Sequence, residues 1–139
     1  MDKTDISKFI DKAISKTKNH ELNWKTLTNN KVLKPLPSET DILTKTLASD
    51  PLSTKDSYIA DFGTGSLSLL VFSSTIQLLT PPDGCELSLR MQDEKSKYAV
   101  EISNTYDDKY NATELIRLYN LIDKDSSSVQ SLIDSFLDS

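Results

Sequence analysis

The chain has 139 residues, of which 37% are hydrophobic and 27% charged, and its formal net charge is −5. This composition is typical of a globular domain and excludes an intrinsically disordered chain. No apolar run approaches the ~20 residues that a membrane-spanning helix needs, so we expect no membrane partner. The length predicts a single domain over residues 1–139.

The charge is unevenly distributed along the chain. Residues 101–139 carry eight acidic and three basic side chains, whereas residues 1–50 carry nine lysines and seven acidic residues. The regular basic stripe consists of Lys8, Lys12 and Lys16, which we interpret as the solvated side of a helix. A nucleic-acid partner requires a basic face, and the sequence therefore predicts none.

Cysteine usage and the N-terminus bear on the compartment. Cys85 is the single cysteine, which excludes an internal disulfide framework and favours a reducing compartment. The first sixteen residues are charged throughout, unlike the apolar centre of a secretory signal. We therefore expect a cytoplasmic protein of bacterial type.

The first third of the chain predicts two helices. Apolar residues at helical spacing predict an amphipathic helix over residues 5–17. An irregular or partly extended segment follows, in which Trp24 is expected to reach the core. A second, short helix is predicted over residues 38–49, because Ser38 and Asp41 form an approximate capping box and Pro51 disfavours helical geometry at Asp50.

The middle of the chain predicts two β-hairpins. The first joins residues 57–62 and 67–72, with a register in which Phe62 faces Leu67 and apolar residues on both sides of the second strand. A short strand over residues 76–79 is also compatible with the pattern. The second hairpin joins residues 86–92 and 97–102, with Tyr98, Val100 and Ile102 on its inner side and Arg90 on its water-facing side.

The chain closes with two amphipathic helices, one beginning near Asn111 and one over residues 129–137. The predicted order is α-α-β-β-β-β-α-α. Because the strands are clustered, the sequence predicts an α+β fold: an antiparallel sheet of about four strands, formed by two hairpins and packed by N-terminal and C-terminal helices.

The segment DFGTGS, residues 61–66, carries two local resemblances. Asp61-Phe62-Gly63 resembles the magnesium-binding tripeptide of protein kinases, and Asp-x-Gly-Thr-Gly resembles the phosphate loop of the actin-like and sugar-kinase ATPases. The second resemblance implies that Asp61 orients a metal-bound water while the amides of residues 63–66 hold phosphate. Neither family's other parts are present, because no glycine precedes Gly63 and only Gly84 follows Gly65. We interpret the segment as a tight turn.

No other motif points to catalysis. His20 is the only histidine and lies at the expected end of the first helix, and Cys85 has no partner base that the sequence identifies. One histidine and one cysteine do not supply the usual transition-metal ligand sets. We predict no catalytic residue, no metal site and no cofactor.

The segment NTYDDKYN, residues 104–111, is the most polar and aromatic loop of the chain. Its Tyr106, Asp107, Asp108 and Tyr110 are our predicted partner contacts, because tyrosines are favoured at protein interfaces. The acidic last third of the chain favours a basic partner, and a homodimer is compatible with the sequence.

Two functional hypotheses follow. The first is a small acidic protein that acts without catalysis, as a protein–protein interaction or inhibitory module similar to an immunity protein. The alternative is a small enzyme or ligand-binding domain that uses Asp61, Asp107 and Asp108 in a pocket that the sequence does not identify.

Overall fold

The computed structural model describes residues 2–27, 33–37, 52–73, 84–125, 133 and 135–138. The elements bounded within these residues are α1 (Lys3–Lys18), β1 (Trp24–Thr26), β2 (Tyr58–Phe62), β3 (Gly65–Ser73), β4 (Cys85–Asp93), β5 (Val100–Asn104) and α2 (Ala112–Asp125). The five strands form an antiparallel sheet whose spatial order follows the chain order. The predicted α+β fold, an antiparallel sheet with helices at both ends, is confirmed.

The strand beyond the four predicted is β1, which lies in the segment interpreted as irregular or partly extended. It pairs with β2, with Trp24 opposite Ala60. Of the last predicted helix, over residues 129–137, the described residues 133 and 135–137 are helical, and so is residue 138. The predicted helix over residues 38–49 and the short strand over 76–79 lie outside the described residues.

Strand β3 is the centre of the sheet, and its residues 66–72 are all buried. Successive side chains of a strand point to opposite faces, so uninterrupted burial means that both faces of β3 are covered. Leu69 and Val71 point to the face that packs against the helices, and Leu70 and Phe72 point to the other. We call these the helix face and the opposite face.

The helix face carries the larger core. Its α1 and α2 contributions are the buried residues Ile10, Ala13, Ile14, Leu115, Leu118, Tyr119 and Ile122. Trp24 joins this core as predicted, and its indole Nε1 donates a hydrogen bond to Thr17 Oγ1 at 3.0 Å. A buried indole N–H needs such an acceptor, so the bond fixes the end of α1 against β1.

The opposite face is partly polar, and Arg90 lies on it. Arg90 is fully buried (0% exposed), so the prediction that it faces water was wrong. Its Nε donates to Ser88 Oγ at 3.0 Å and lies 4.0 Å from Glu101 Oε2, and its guanidinium stands 5.6 Å from the centre of the Phe72 ring. These groups offset part of the free-energy cost of burying the guanidinium charge.

The turn between β2 and β3 differs from the predicted register by two residues. Phe62 pairs with Gly65, and Ala60 pairs with Leu67, so the loop consists of Gly63 and Thr64. Gly63 has a φ of +59°, and a glycine with positive φ at the first of two loop positions is typical of a type II′ hairpin turn. A shift of two residues keeps every side chain on its predicted face.

Gly65 allows β3 to lie unusually close to β4. A Cβ built at Gly65 would lie 2.2 Å from the backbone carbonyl oxygen of Gln92 on β4. Strand β3 therefore approaches β4 closely at this point, and only a residue without a side chain fits there.

In the part of the chain that the structure describes, no helix combines the length and the apolar composition needed to cross a membrane.

Replacement of Gly65 by alanine should destabilise the protein. Because the overlap is with a backbone oxygen, one strand has to move, and we expect the free energy of unfolding to fall by about 1–3 kcal/mol. Urea denaturation measures the change. Thr64→Ala, an exposed substitution in the same turn, is the control and should stay within about 0.5 kcal/mol of wild type. Equal stability of the two variants would contradict the close approach.

Candidate functional site

The loop between β5 and α2, residues 105–111, contains the four predicted partner contacts, and we call it the tyrosine loop. Tyr106 is 52% exposed and Tyr110 is 66% exposed, and Asp107 is also exposed. Asp108 is buried. Three of the four side chains are therefore available at the surface of one loop, and the fourth points inward.

A β-bulge in β5 lies just before the tyrosine loop. Glu101 pairs with Arg90 and Asn104 pairs with Ser88, with a register shift between these pairs. The extra residue, Ile102, places Glu101 and Asn104 on the same face of the sheet although they are three positions apart. Their side chains can therefore meet, and Asn104 Nδ2 donates to Glu101 Oε1 at 2.8 Å.

Asn104 organises the first half of the tyrosine loop. Its Oδ1 accepts hydrogen bonds from the backbone N–H groups of Tyr106 and Asp107, at 3.0 and 2.7 Å. Its Nδ2 also donates to Asp107 Oδ2 at 3.1 Å. An asparagine side chain that satisfies the backbone two and three residues ahead forms an Asx-type turn, which holds Tyr106 in one backbone conformation.

Asp108 organises the second half. Its carboxylate accepts hydrogen bonds from Ser103 Oγ at 2.9 Å, from the Asn111 backbone N–H at 3.2 Å and from Asn111 Nδ2 at 2.8 Å. Burial by itself would raise the pKa of Asp108, but the hydrogen bonds from Asn111 and Ser103, with the charge of Lys3, hold that pKa below its ordinary value of 3.8. Asp108 thus acts as an ionised acceptor inside the loop.

The tyrosine loop is also tied to its neighbours. Thr105 exchanges two hydrogen bonds with the backbone of Leu87 on β4, both 3.0 Å long. Asn111 Nδ2 donates to the Lys3 carbonyl oxygen at the start of α1, at 3.3 Å. At the surface, the Lys109 ammonium lies 5.5 Å from the centre of the Tyr106 ring, a cation–π contact that orients the ring. The two exposed tyrosines are therefore presented by an ordered loop.

The carboxylates of the alternative hypothesis do not converge. Asp61 is exposed near the end of β2, whereas Asp107 and Asp108 follow β5. Strands β3 and β4 lie between them, which corresponds to a separation of at least ~14 Å across the sheet. Among the described residues, no group of three or more His, Cys, Asp and Glu side chains could hold a metal ion.

His20 and Cys85 occupy structural positions. His20 has a φ of 59° just after α1, and its backbone N–H donates to the Thr17 carbonyl while that of Glu21 donates to the Lys16 carbonyl. This is the Schellman arrangement that ends a helix. Cys85 is a buried thiol at the start of β4, within the core of the helix face.

Sequence reasoning missed a second surface feature, an apolar cleft between α1 and the hairpin end of the sheet. The cleft has a volume of about 160 Å³, and it is lined by Phe9, Lys12, Ala13, Lys16, Leu22, Phe62, Leu67 and Met91. A wider groove of about 530 Å³ adjoins it, shares Phe62 and Met91 with it, and extends to Tyr98, Val100 and Ile102. Alternation assigned Tyr98 and Val100 to the inner face, but Val100 is 63% exposed.

The far side of this groove is held in place by Lys34 and Pro35. The Lys34 ammonium donates hydrogen bonds to the backbone carbonyl oxygens of Asp93, Glu94 and Ser96 in the β4–β5 connection. The Pro35 carbonyl oxygen accepts a hydrogen bond from the backbone N–H of Ala99 at 2.8 Å. The groove is thus bordered by backbone that is fixed by specific bonds.

The chain matches no family model, and comparison with curated proteins and with solved structures found no similar protein. The functional argument therefore rests on the chemistry of the tyrosine loop and of the cleft.

The substitution Asp108→Asn should destabilise the protein in a pH-dependent way. At neutral pH the variant loses an ionised acceptor for three buried donors, and we expect a loss of about 1–3 kcal/mol. Because folding lowers the pKa of Asp108, its stabilising contribution is complete above 3.8 and is lost as the pH falls through the lower folded-state value. The difference between wild type and variant should therefore shrink below about pH 4.

Urea denaturation of both proteins between neutral pH and about pH 2 tests this expectation. Asp107→Asn, which changes the exposed neighbour, is the matched control and should differ little from wild type at neutral pH. A wild-type advantage over Asp108→Asn that stays constant across the whole pH range would show that ionisation of Asp108 is not the cause.

Proposed function

We propose that this protein is a non-catalytic protein-binding module that acts by occupying its partner, in the manner of an inhibitory or immunity-like protein. The tyrosine loop is its contact surface, with Tyr106, Asp107 and Tyr110 facing the partner and Asp108 holding the loop in shape. The module works in the cytoplasm, and neither nucleic acid nor membrane is its target.

The observation that carries this proposal is the ordering of two exposed tyrosines by buried polar side chains. Tyrosine combines a large apolar ring with a hydroxyl group, and it is enriched among the residues that dominate binding energy. Asn104 and Asp108 fix the backbone that carries these rings before any partner arrives. Preorganisation of this kind lowers the entropy that association would otherwise cost.

The charge distribution supports a basic partner. Residues 101–139 hold eight acidic and three basic side chains, and the tyrosine loop lies within them. A negative surface attracts a positive partner over about 10 Å at ordinary ionic strength and raises the association rate. The distance between Asp61 and the other two carboxylates favours this binding function over the carboxylate enzyme.

Affinity capture compares two variants of the tagged, full-length chain. Tyr106→Ala combined with Tyr110→Ala should lose a partner that wild type retains from extracts of the organism that encodes it, because each truncation removes about 2 kcal/mol, roughly 30-fold in affinity. Mass spectrometry identifies the retained protein, and the purified pair is then titrated by calorimetry.

Tyr98→Ala is the matched control, since it removes an exposed tyrosine that lies in the groove rather than in the tyrosine loop. It should retain the partner. Loss of the partner by Tyr98→Ala, with retention by the double variant, would assign the contact to the groove and overturn the role of the tyrosine loop.

A further inference from the structure

We propose that the C-terminal segment, residues 129–138, docks into the apolar cleft of a second copy of this chain. The segment of each copy lies in the cleft of the other copy, which produces a two-fold symmetric dimer. The inference is independent of the tyrosine loop.

The cleft has the character of a binding surface. Its lining is almost wholly apolar, and Phe62, which separates it from the adjoining groove, is 51% exposed. Together with Met91 and Val100, Phe62 forms a continuous apolar strip that neither helix covers. A contiguous exposed patch of this kind marks an interaction site, whereas single exposed apolar residues are ordinary.

The C-terminal segment has a matching apolar side. Its apolar residues recur at i, i+3, i+4, i+7 and i+8, and they are Val129, Leu132, Ile133, Phe136 and Leu137. Residues 133 and 135–138 are helical, and Ile133, Phe136 and Leu137 lie on one side of that helix. Leu137 is 73% exposed, so this described part of the apolar side faces water rather than the core of its own chain.

The charges around the two surfaces are complementary. Residues 126–139 contain Asp134 and Asp138 and no lysine or arginine. The cleft is bordered by Lys12 and Lys16, and the Lys16 ammonium lies 5.5 Å from the centre of the Phe62 ring. An acidic amphipathic helix therefore fits this cleft better than a basic one, because the lysines stand where its carboxylates would lie.

The connection to α2 favours a second copy over docking within one chain. Helix α2 reaches Tyr58, whose hydroxyl group donates to Asp123 at 2.8 Å, whereas the cleft lies at Phe62. These two positions of β2 are ~13 Å apart, whereas the three serines before the segment span at most ~11 Å when fully extended, so the connection is short for docking within one chain. The described residues of the segment do not line the cleft of their own chain, and Ile133, Phe136 and Leu137 remain exposed, so we take the cleft of a second copy as the docking site.

A charge-exchange experiment on the full-length chain tests the proposal by sedimentation velocity. Wild type should dimerise at micromolar to submillimolar concentrations. Lys12→Glu with Lys16→Glu, and separately Asp134→Lys with Asp138→Lys, should each weaken the dimer at least about tenfold, because like charges then face each other at both contacts. An equimolar mixture of the two variants should recover the dimer, because every contact in the mixed dimer again joins opposite charges.

The matched control is Lys8→Glu with Lys18→Glu, which makes the same charge change on α1 at exposed positions that do not line the cleft. It should dimerise as wild type does, and circular dichroism confirms that all variants are folded. A wild type that stays monomeric at every concentration overturns the proposal, and so does a mixture that remains monomeric or a control that dissociates as strongly as the cleft variant.

Discussion

Burial of β3 on both faces is the constraint on which the rest of the structure depends. Seven consecutive residues of this strand are buried, and exposure of their apolar surface would cost roughly 25 cal/mol per Å². Helices α1 and α2 provide the cover on one face, and Leu27, Leu33 and Leu52 pack against the other. The cleft lies where α1 and α2 no longer cover the helix face although the sheet continues.

A continuous hydrogen-bonded chain connects the buried side of the sheet to the exposed tyrosine loop. Arg90 Nε donates to Ser88 Oγ, which donates to Glu101 Oε2, and Asn104 Nδ2 donates to the other oxygen of Glu101. Asn104 in turn binds the backbone of Tyr106. A buried arginine requires such partners, and the same partners determine the shape of the surface loop. Core and contact surface are therefore parts of one network.

The elements that periodicity could predict are those whose pattern records burial directly. Helix α1, the two hairpins and α2 follow from spacing alone, whereas Trp24 was assigned to the core by its apolar character, in a segment without sustained periodicity. The register of the first hairpin does not, because a shift of two residues leaves every face unchanged. The two registers differ in which residues form the turn, and the observed one places Gly63, with its positive φ, at the first loop position of a type II′ turn.

The candidate site was likewise only partly predictable from the sequence. Composition identified Tyr106 and Tyr110, since exposed aromatic residues in a polar loop stand out in a sequence. The inward role of Asp108 depends on Ser103 and Asn111, and the network around Arg90 depends on Glu101 and Asn104, which the β-bulge at Ile102 brings together. Alternation foresees neither. The cleft was missed because alternation tells which way Val100 points but not how far a helix extends above it.

The hydrogen bond between Asn111 and Lys3 has a consequence for the folding of the chain during its synthesis. These residues are 108 positions apart, yet they join the starts of α2 and α1. Contacts between remote positions form only after the intervening polypeptide has been produced and its loops have closed. Helix α1 is therefore synthesised well before the sheet and α2. Its apolar side stays exposed to solvent until both are complete. A chaperone that recognises nascent amphipathic helices would therefore engage α1 before the sheet and α2 are available to cover it.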